Sequence, residues 1–150
     1  MDFLRTSVVI AVDEAGNAGR AVDYGLAMAE ALRLPVRLVH VAAGRDLHVS
    51  GVRQVDLARI EQAADGMPEY ELGARLLDQT LSRVGERQVE IEPVLLGGDP
   101  AEALLRYLDE CDRPMLIMGR RGQSRIQALL LGSVSDKVVR HARCPVIVVS

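Results

Sequence analysis

The sequence predicts an α/β protein: an open sheet of five parallel strands with helices on both faces. Two observations carry this expectation. Apolar, β-branched runs alternate with stretches of helical periodicity along the whole chain. Of the 150 residues, 49% are hydrophobic but only 3% are aromatic. A core large enough to fold must then be built from Val, Leu, Ile and Ala, which suits parallel strands buried under Ala-rich helices. No internal repeat, low-complexity tract or linker breaks the pattern, so one domain is expected over residues 1–150.

The elements follow in order. Ser7 to Asp13 reads as a buried strand ended by an acidic residue. Asn17 to Leu34 reads as a helix, with Ala18, Ala21, Val22, Gly25, Ala29 and Leu32 on one face and Pro35 as its stop. Val36 to Val41 is a second strand, and the polar residues 43–55 read as loop. Asp56 to Val84 is amphipathic, broken or kinked at Pro68, with Leu72, Leu76, Thr80 and Leu81 marking the apolar face of its second half. Val89 to Leu96 is a third strand. Pro100 suits the first turn of the next helix, which carries Leu104, Leu105, Leu108 and Cys111 inward. Pro114 to Met118 is a fourth strand. Ser133 or Ser135 is expected to cap a helix that runs to about Ala142, and Pro145 to Val149 is the last strand.

Charge and composition exclude several classes. A net charge of −3 argues against a general nucleic-acid binder. Lys137 is the only lysine, so no other position can supply a lysine phosphate clamp. Cys111 and Cys144 are expected to be free thiols in a reducing compartment. No apolar run reads as a signal peptide or spans a membrane, which makes the cytoplasm the expected location.

The most informative segment is Gly119-Arg120-Arg121-Gly122, then nine residues, then Gly132-Ser133. It leaves a buried strand and reaches a helix start. Glycines there admit positive φ and close approach by a phosphate. The first helical N–H groups, at Val134 and Ser135, lack intrahelical partners and sit at the positive end of the helix dipole. The hydroxyls of Ser133 and Ser135 add donors, and Arg120, Arg121 and Arg125 add positive charge. Glycines alone would signify only a tight turn. Their position gives them weight, because ligands of open α/β sheets sit outside the carboxyl ends of the strands. Asp13, Val41 and Gly119 end three strands at that rim. A carboxylate there can accept from a ribose hydroxyl, and the Val41 backbone can read an adenine edge.

These motifs resemble those of the universal stress protein family, in its ATP-binding branch. The resemblance rests on the glycine spacing and on the tail Leu130-Leu131-Gly132-Ser133-Val134-Ser135-Asp136-Lys137-Val138, followed by His141-Ala142-Arg143-Cys144-Pro145-Val146. Ile10-Ala11-Val12-Asp13, Leu38-Val39-His40-Val41 and Gly98-Asp99-Pro100-Ala101 also fit, so it covers nearly the whole chain. It implies an adenine nucleotide alpha hydrolase-like, Rossmann-like sheet and bound ATP, with or without Mg2+. Adenosine contacts would fall on Ala11, Asp13 and Val41. Phosphate and ribose contacts would fall on Met118, Gly119, Arg121, Gly122, Gly132, Ser133, Val134 and Ser135. It also implies a homodimer, and the uncharged strand Val146, Ile147, Val148 and Val149 would pair with its own copy if it lies at the sheet edge. Ala15 departs from the serine that the family often carries, and Pro68 and Pro114 depart from its regular pattern.

Other motifs fail. Neither GxxxxGK[ST] nor GxGxxG is present. His141, Cys144 and Cys111 fall short of the four ligands of a structural zinc site. His40 reads as a satisfied core histidine, and Asp136 and Lys137 as a solvated helix face. Asp13 is costly at a strand end unless paired or wet, which favours ligand contact. Three functions compete: a nucleotide-gated dimeric stress-response or signalling module, a slow ATPase or nucleotidyl-transfer enzyme, and a nucleotide-free dimerisation protein. No carboxylate cluster near the glycine loop could hold metal for fast phosphoryl transfer, and the intact glycine signature argues against the third.

Overall fold

The computed structural model describes residues 4–13, 18–44, 47–50, 68–120 and 132–150. Within them the elements are β1 (Ser7–Ala11), α1 (Ala18–Leu32), β2 (Val36–Ala42), β3 (Leu47–Ser50), α2 (Pro68–Val84), β4 (Ile91–Gly97), α3 (Pro100–Glu110), β5 (Pro114–Gly119), α4 (Ser133–His141) and β6 (Val146–Val149). The strands form one sheet in the order β3-β4-β2-β1-β5-β6. Every pair is parallel except β3 with β4.

The expected five-stranded sheet is therefore corrected to six strands, and residues 47–50 are strand, not loop. Leu47-His48-Val49-Ser50 alternates apolar and polar residues, with Val49 packed on the core and His48 and Ser50 exposed. A strand of four residues is too short to stand out against the polar residues around it. Pro93 is tolerated within β4 for a related reason. By strand alternation its missing N–H faces the β3 side, beyond Ser50 and Val94, the last described β3–β4 pair.

Side chains alternate between two cores. Val8 and Ile10 of β1 face α1 and α2 with Leu26, Leu38, Leu77 and Leu95. Val9 faces α3 and α4 with Val39, Leu104, Leu116 and Val138. Both sheet faces are covered, so the central strands read as continuous apolar runs. Two glycines set the approach of the front helices. A Cβ on Gly25 would lie 2.6 Å from Ile10 Cδ1, and one on Gly73 would lie 2.7 Å from Leu95 Cδ1 and 2.9 Å from His40 Cδ2.

The faces read in the sequence hold in part: Ala21, Val22, Gly25 and Ala29 of α1 and Thr80 of α2 are buried as expected. In α1, Leu26 is buried and Leu32 is exposed. In α2 the buried stripe is Tyr70, Gly73, Ala74, Leu77, Thr80 and Val84, and Leu72 is 54% exposed. The sequence places Gly25 on the buried face of α1, whereas Gly73 and Ala74 of α2 were not read as part of its stripe. Pro68 opens α2 and does not kink it, as the first helical position allows; residues 56–67 lie outside the described ones.

In α3, Leu104 and Leu108 are buried as expected, while Leu105 and Cys111 are half-buried. Asp99 caps α3, its Oδ2 accepting from Glu102 N–H at 3.0 Å, with Pro100 at the first position. Near the amino ends of the strands, Arg37 Nη1 donates to Tyr107 Oη at 3.2 Å and lies 3.8 Å from Cys111 Sγ. Burial pushes the Tyr107 phenol well above the ordinary tyrosine value, against the opposing pull of Arg37. Burial likewise raises the Cys111 and Cys144 thiols. Both cysteines are free. Among the described residues no helix is long and apolar enough to cross a membrane.

A cleft at the carboxyl ends of the strands

The sheet reverses direction at β1. Chain order runs from β1 to β2 and β4 on one side, then returns to β5 and β6 on the other. The helix after β1 covers one face and the helix after β5 covers the opposite face. Between those departures a crevice must open at the carboxyl ends. A cleft of about 460 Å³ lies there, within the roughly 300–1,000 Å³ range of small-molecule sites.

Nine of the expected site residues line it: Ala11, Asp13, Val41, Met118, Gly119, Gly132, Ser133, Val134 and Ser135. Arg121 and Gly122, together with Arg125, lie outside the described residues. The topology brings these positions together because β1, β2 and β5 are adjacent, parallel and end at one rim.

The anion-competent end is the start of α4. Gly132 is the N-cap, with extended backbone and no side-chain cap bond. The expected serine cap is thus corrected. Ser133 occupies the first helical position, and Ser135 turns its hydroxyl backward, donating to Arg120 O at 2.6 Å. That bond, with Gly132 N–H to Arg120 O at 2.9 Å, ties the helix start to the end of β5. The Ser135 hydroxyl hydrogen is therefore committed inside the protein. The first intrahelical bond runs from Asp136 N–H to Gly132 O. The N–H groups of Ser133, Val134 and Ser135 precede it and point out of the helix end.

At the centre, Asp13 is part-buried beyond the end of β1. Val12 fixes its position from two sides. Val12 N–H donates to Val39 O at 2.8 Å, and Val12 O lies 2.8 Å from His40 Nδ1. A carbonyl only accepts, so Nδ1 carries the hydrogen. His40 is buried and satisfied, as expected from the sequence, and it also borders the cleft.

The other end is apolar. Val39, Val41, Ala42, Ala43, Leu72, Pro100 and Leu104 wall it, with Glu69 on the first turn of α2. By alternation, the Val41 N–H and C=O point toward the β1 side, beyond the last β1–β2 partners Ala11 and Val39. Leu72, Glu69, Pro100 and Leu104 were not read as site residues. Leu72 carried a signal, as an apolar residue one step off the buried stripe of α2; Pro100 follows a strand end directly. Glu69 carried none, because its placement depends on how α2 docks. Among the described residues, no group of three or more His, Cys, Asp or Glu gathers to hold a metal.

The arrangement defines a doubly wound α/β protein with a cleft at its switch point, apolar at one end and rich in backbone donors at the other. The sequence profile of the universal stress protein family matches residues 5–150, and the chain belongs to that family. It is 26% identical over 147 residues to universal stress protein YxiE of Bacillus subtilis, covering 95% of this chain and 97% of that one. Among solved structures, universal stress protein UspA from Lactobacillus plantarum is similar at a TM-score of 0.69 and 19% identity, covering 98% of this chain and 99% of its own. The universal stress protein from Archaeoglobus fulgidus in complex with dAMP gives a TM-score of 0.68 at 20% identity, covering 98% of each chain.

Proposed function

We propose that the chain is a nucleotide-gated, dimeric stress-response or signalling module that holds ATP in this cleft. The observation that carries the reading is the convergence of Asp13, Val41 and the α4 N-terminus on one cleft graded from apolar to donor-rich. The residues fit the ligand. The apolar end takes the base, with the Val41 backbone reading its edge. Asp13 accepts from a ribose hydroxyl, and the N–H groups of Ser133, Val134 and Ser135 meet the phosphates. Met118 and Gly119 line the cleft with them; Arg121 and Gly122, outside the described residues, are proposed as phosphate contacts on the family resemblance alone. A fold neighbour in complex with dAMP supports a nucleotide in the same architecture.

The β6 strand forms one edge of the sheet, and its four residues are only partly buried. Pairing of Val146 to Val149 with a second copy would cover that edge. ATP then sets the dimer's partner surface without fast turnover, as the sequence reading expects. The decisive experiment is mass spectrometry of ligand released from purified protein, followed by calorimetric titration. Adenine nucleotide recovered at near-stoichiometric amounts supports the reading. Protein that carries none and binds neither ATP nor adenosine rejects it. Light scattering should give a dimer at micromolar concentration, and sustained hydrolysis above about one per second would place the chain among enzymes instead.

A further inference from the structure

The apolar end of the cleft carries one carboxylate. Among the described residues that wall that end, it belongs to Glu69, on the first turn of α2. The neighbours of Glu69 fix that turn in place. Pro68 opens the helix. Tyr70 is buried, and its Oη would lie 2.9 Å from a Cβ on Gly44, just beyond β2. Gly73 packs against the ring of His40, which borders the cleft. Residues three and four apart share a helix face. Glu69 therefore stands one turn above that contact at the cleft mouth, with Leu72 beside it, and both line the cleft. Glu71 also lies in the first turn, where the helix dipole favours an acid, but it does not line the cleft. The dipole alone thus gives no reason for a second acid facing the ligand side. Among the described residues no ion pair or hydrogen bond takes the Glu69 carboxylate.

An ionised carboxylate only accepts hydrogen bonds. A base held in this end offers donors through its exocyclic amino group, which carries two N–H bonds. The Val41 edge can accept from one of them, and the second then needs another acceptor as it leaves water. A purine with a carbonyl at the same position turns an oxygen toward the carboxylate instead, which sets acceptor against acceptor. Such a mismatch discriminates more strongly than a change of apolar bulk. We propose that Glu69 makes the cleft selective for 6-aminopurines over 6-oxopurines, its carboxylate accepting from the amino hydrogen that the strand edge leaves free. This rests on the nucleotide reading of the cleft and adds to it the residue that distinguishes one base from another.

The test uses Glu69→Ala, which removes the acceptor, and Glu69→Gln, whose amide can accept from an amino group or donate to a carbonyl. Three bases are titrated by calorimetry, each as nucleoside and as 5′-triphosphate: adenine, purine without the amino group, and hypoxanthine. Thermal unfolding is the control, and both variants should melt with the parent because Glu69 is exposed. In Glu69→Ala, adenosine should bind about tenfold more weakly, as for a charged hydrogen bond lost, while purine riboside binds as it does to the parent. In Glu69→Gln, the preference for adenosine over inosine should fall by about the same factor, through a gain for inosine. Equal changes for adenosine and purine riboside, or no change in either, would make Glu69 a solvated residue of the helix start. That result overturns the proposal and leaves the nucleotide reading standing, as does a parent that prefers inosine to adenosine. A parent that binds neither adenosine nor ATP overturns both.

Discussion

The two rims of the sheet are built differently. At the amino ends of the strands the chain returns in short joins: residues 33–35, 85–90, 111–113 and 142–145. Each follows the carboxyl end of a helix, and left-handed residues close three of them, Arg33 at φ 57°, Gly85 at φ 65° and Arg113 at φ 41°. At the carboxyl ends the segments between strand and helix are residues 12–17, 43–67, 98–99 and 120–132, two of them longer than any join at the amino rim, and of these 14–17, 45–46, 51–67 and 121–131 lie outside the described residues. A parallel sheet forces the asymmetry. Every helix that follows a strand begins at the carboxyl rim, so the unpaired N–H groups and positive dipole ends face that way. The amino rim can be optimised for closure, whereas the carboxyl rim must stay open to a ligand and carry the residues that meet it.

The sharpest way to break this division is to damage one rim and read the other. Tyr107→Ala removes a buried ring, 4% exposed, and the acceptor of Arg37 near the amino rim. It should lower the unfolding free energy by about 3–5 kcal/mol, while the folded fraction binds ATP normally. Urea unfolding with parallel titration measures both, and a matched loss of affinity would show that the rims are coupled. Alkali probes the same rim. Burial raises Tyr107, Cys111 and Cys144 in the folded chain, so the unfolded chain releases these protons first. Stability should be full below the ordinary thiol value near 8.5 and decline as pH rises through the thiol and then the tyrosine range. Tyr107→Phe should flatten the second part of that decline. On the opposite rim, Asp13→Ala should weaken adenosine and ATP by the same factor, about tenfold or more, since its proposed partner is a ribose hydroxyl. A loss confined to ATP would move Asp13 to the phosphate end.

The sequence read the two rims unequally for the same reason. The alternation of strands and helices, Pro100 in the first turn of α3 and the residues that converge on the cleft were legible, because each follows from periodicity, turn chemistry or the end of a strand. Asp13 and Gly119 fall at a common rim on strand ends alone. What could not be read depends on how layers dock. Gly25 and Gly73 look like weak helix residues in isolation. Only contact with Ile10, Leu95 and His40 shows why a side chain is excluded there. That docking turns Leu72 toward the cleft mouth and Leu26, not Leu32, into the core. β3 was missed because four alternating residues carry little signal without the β4 edge they complete.

The smallest effects come from two serines, which divide the carboxyl rim itself. Ser135 is 2% exposed and spends its hydroxyl hydrogen on Arg120 O. Ser135→Ala should cost about 1 kcal/mol of stability and, by loosening the start of α4, weaken ATP as well. Ser133 is exposed at the first helical position, and no bond of its hydroxyl holds α4 in place among the described contacts. Ser133→Ala should leave stability within about 0.5 kcal/mol of the parent, as for a surface change away from a cap. Its effect should appear only on ATP, on the order of 1 kcal/mol or about fivefold, because one hydroxyl donor is lost while the helix N–H groups remain. Adenosine, which carries no phosphate, should bind as before. Calorimetry on the ligand pair with thermal unfolding as control separates the two serines. If Ser133→Ala lowers adenosine affinity as much as ATP affinity, the phosphates do not lie at the start of α4, and the polarity assigned to the cleft is reversed.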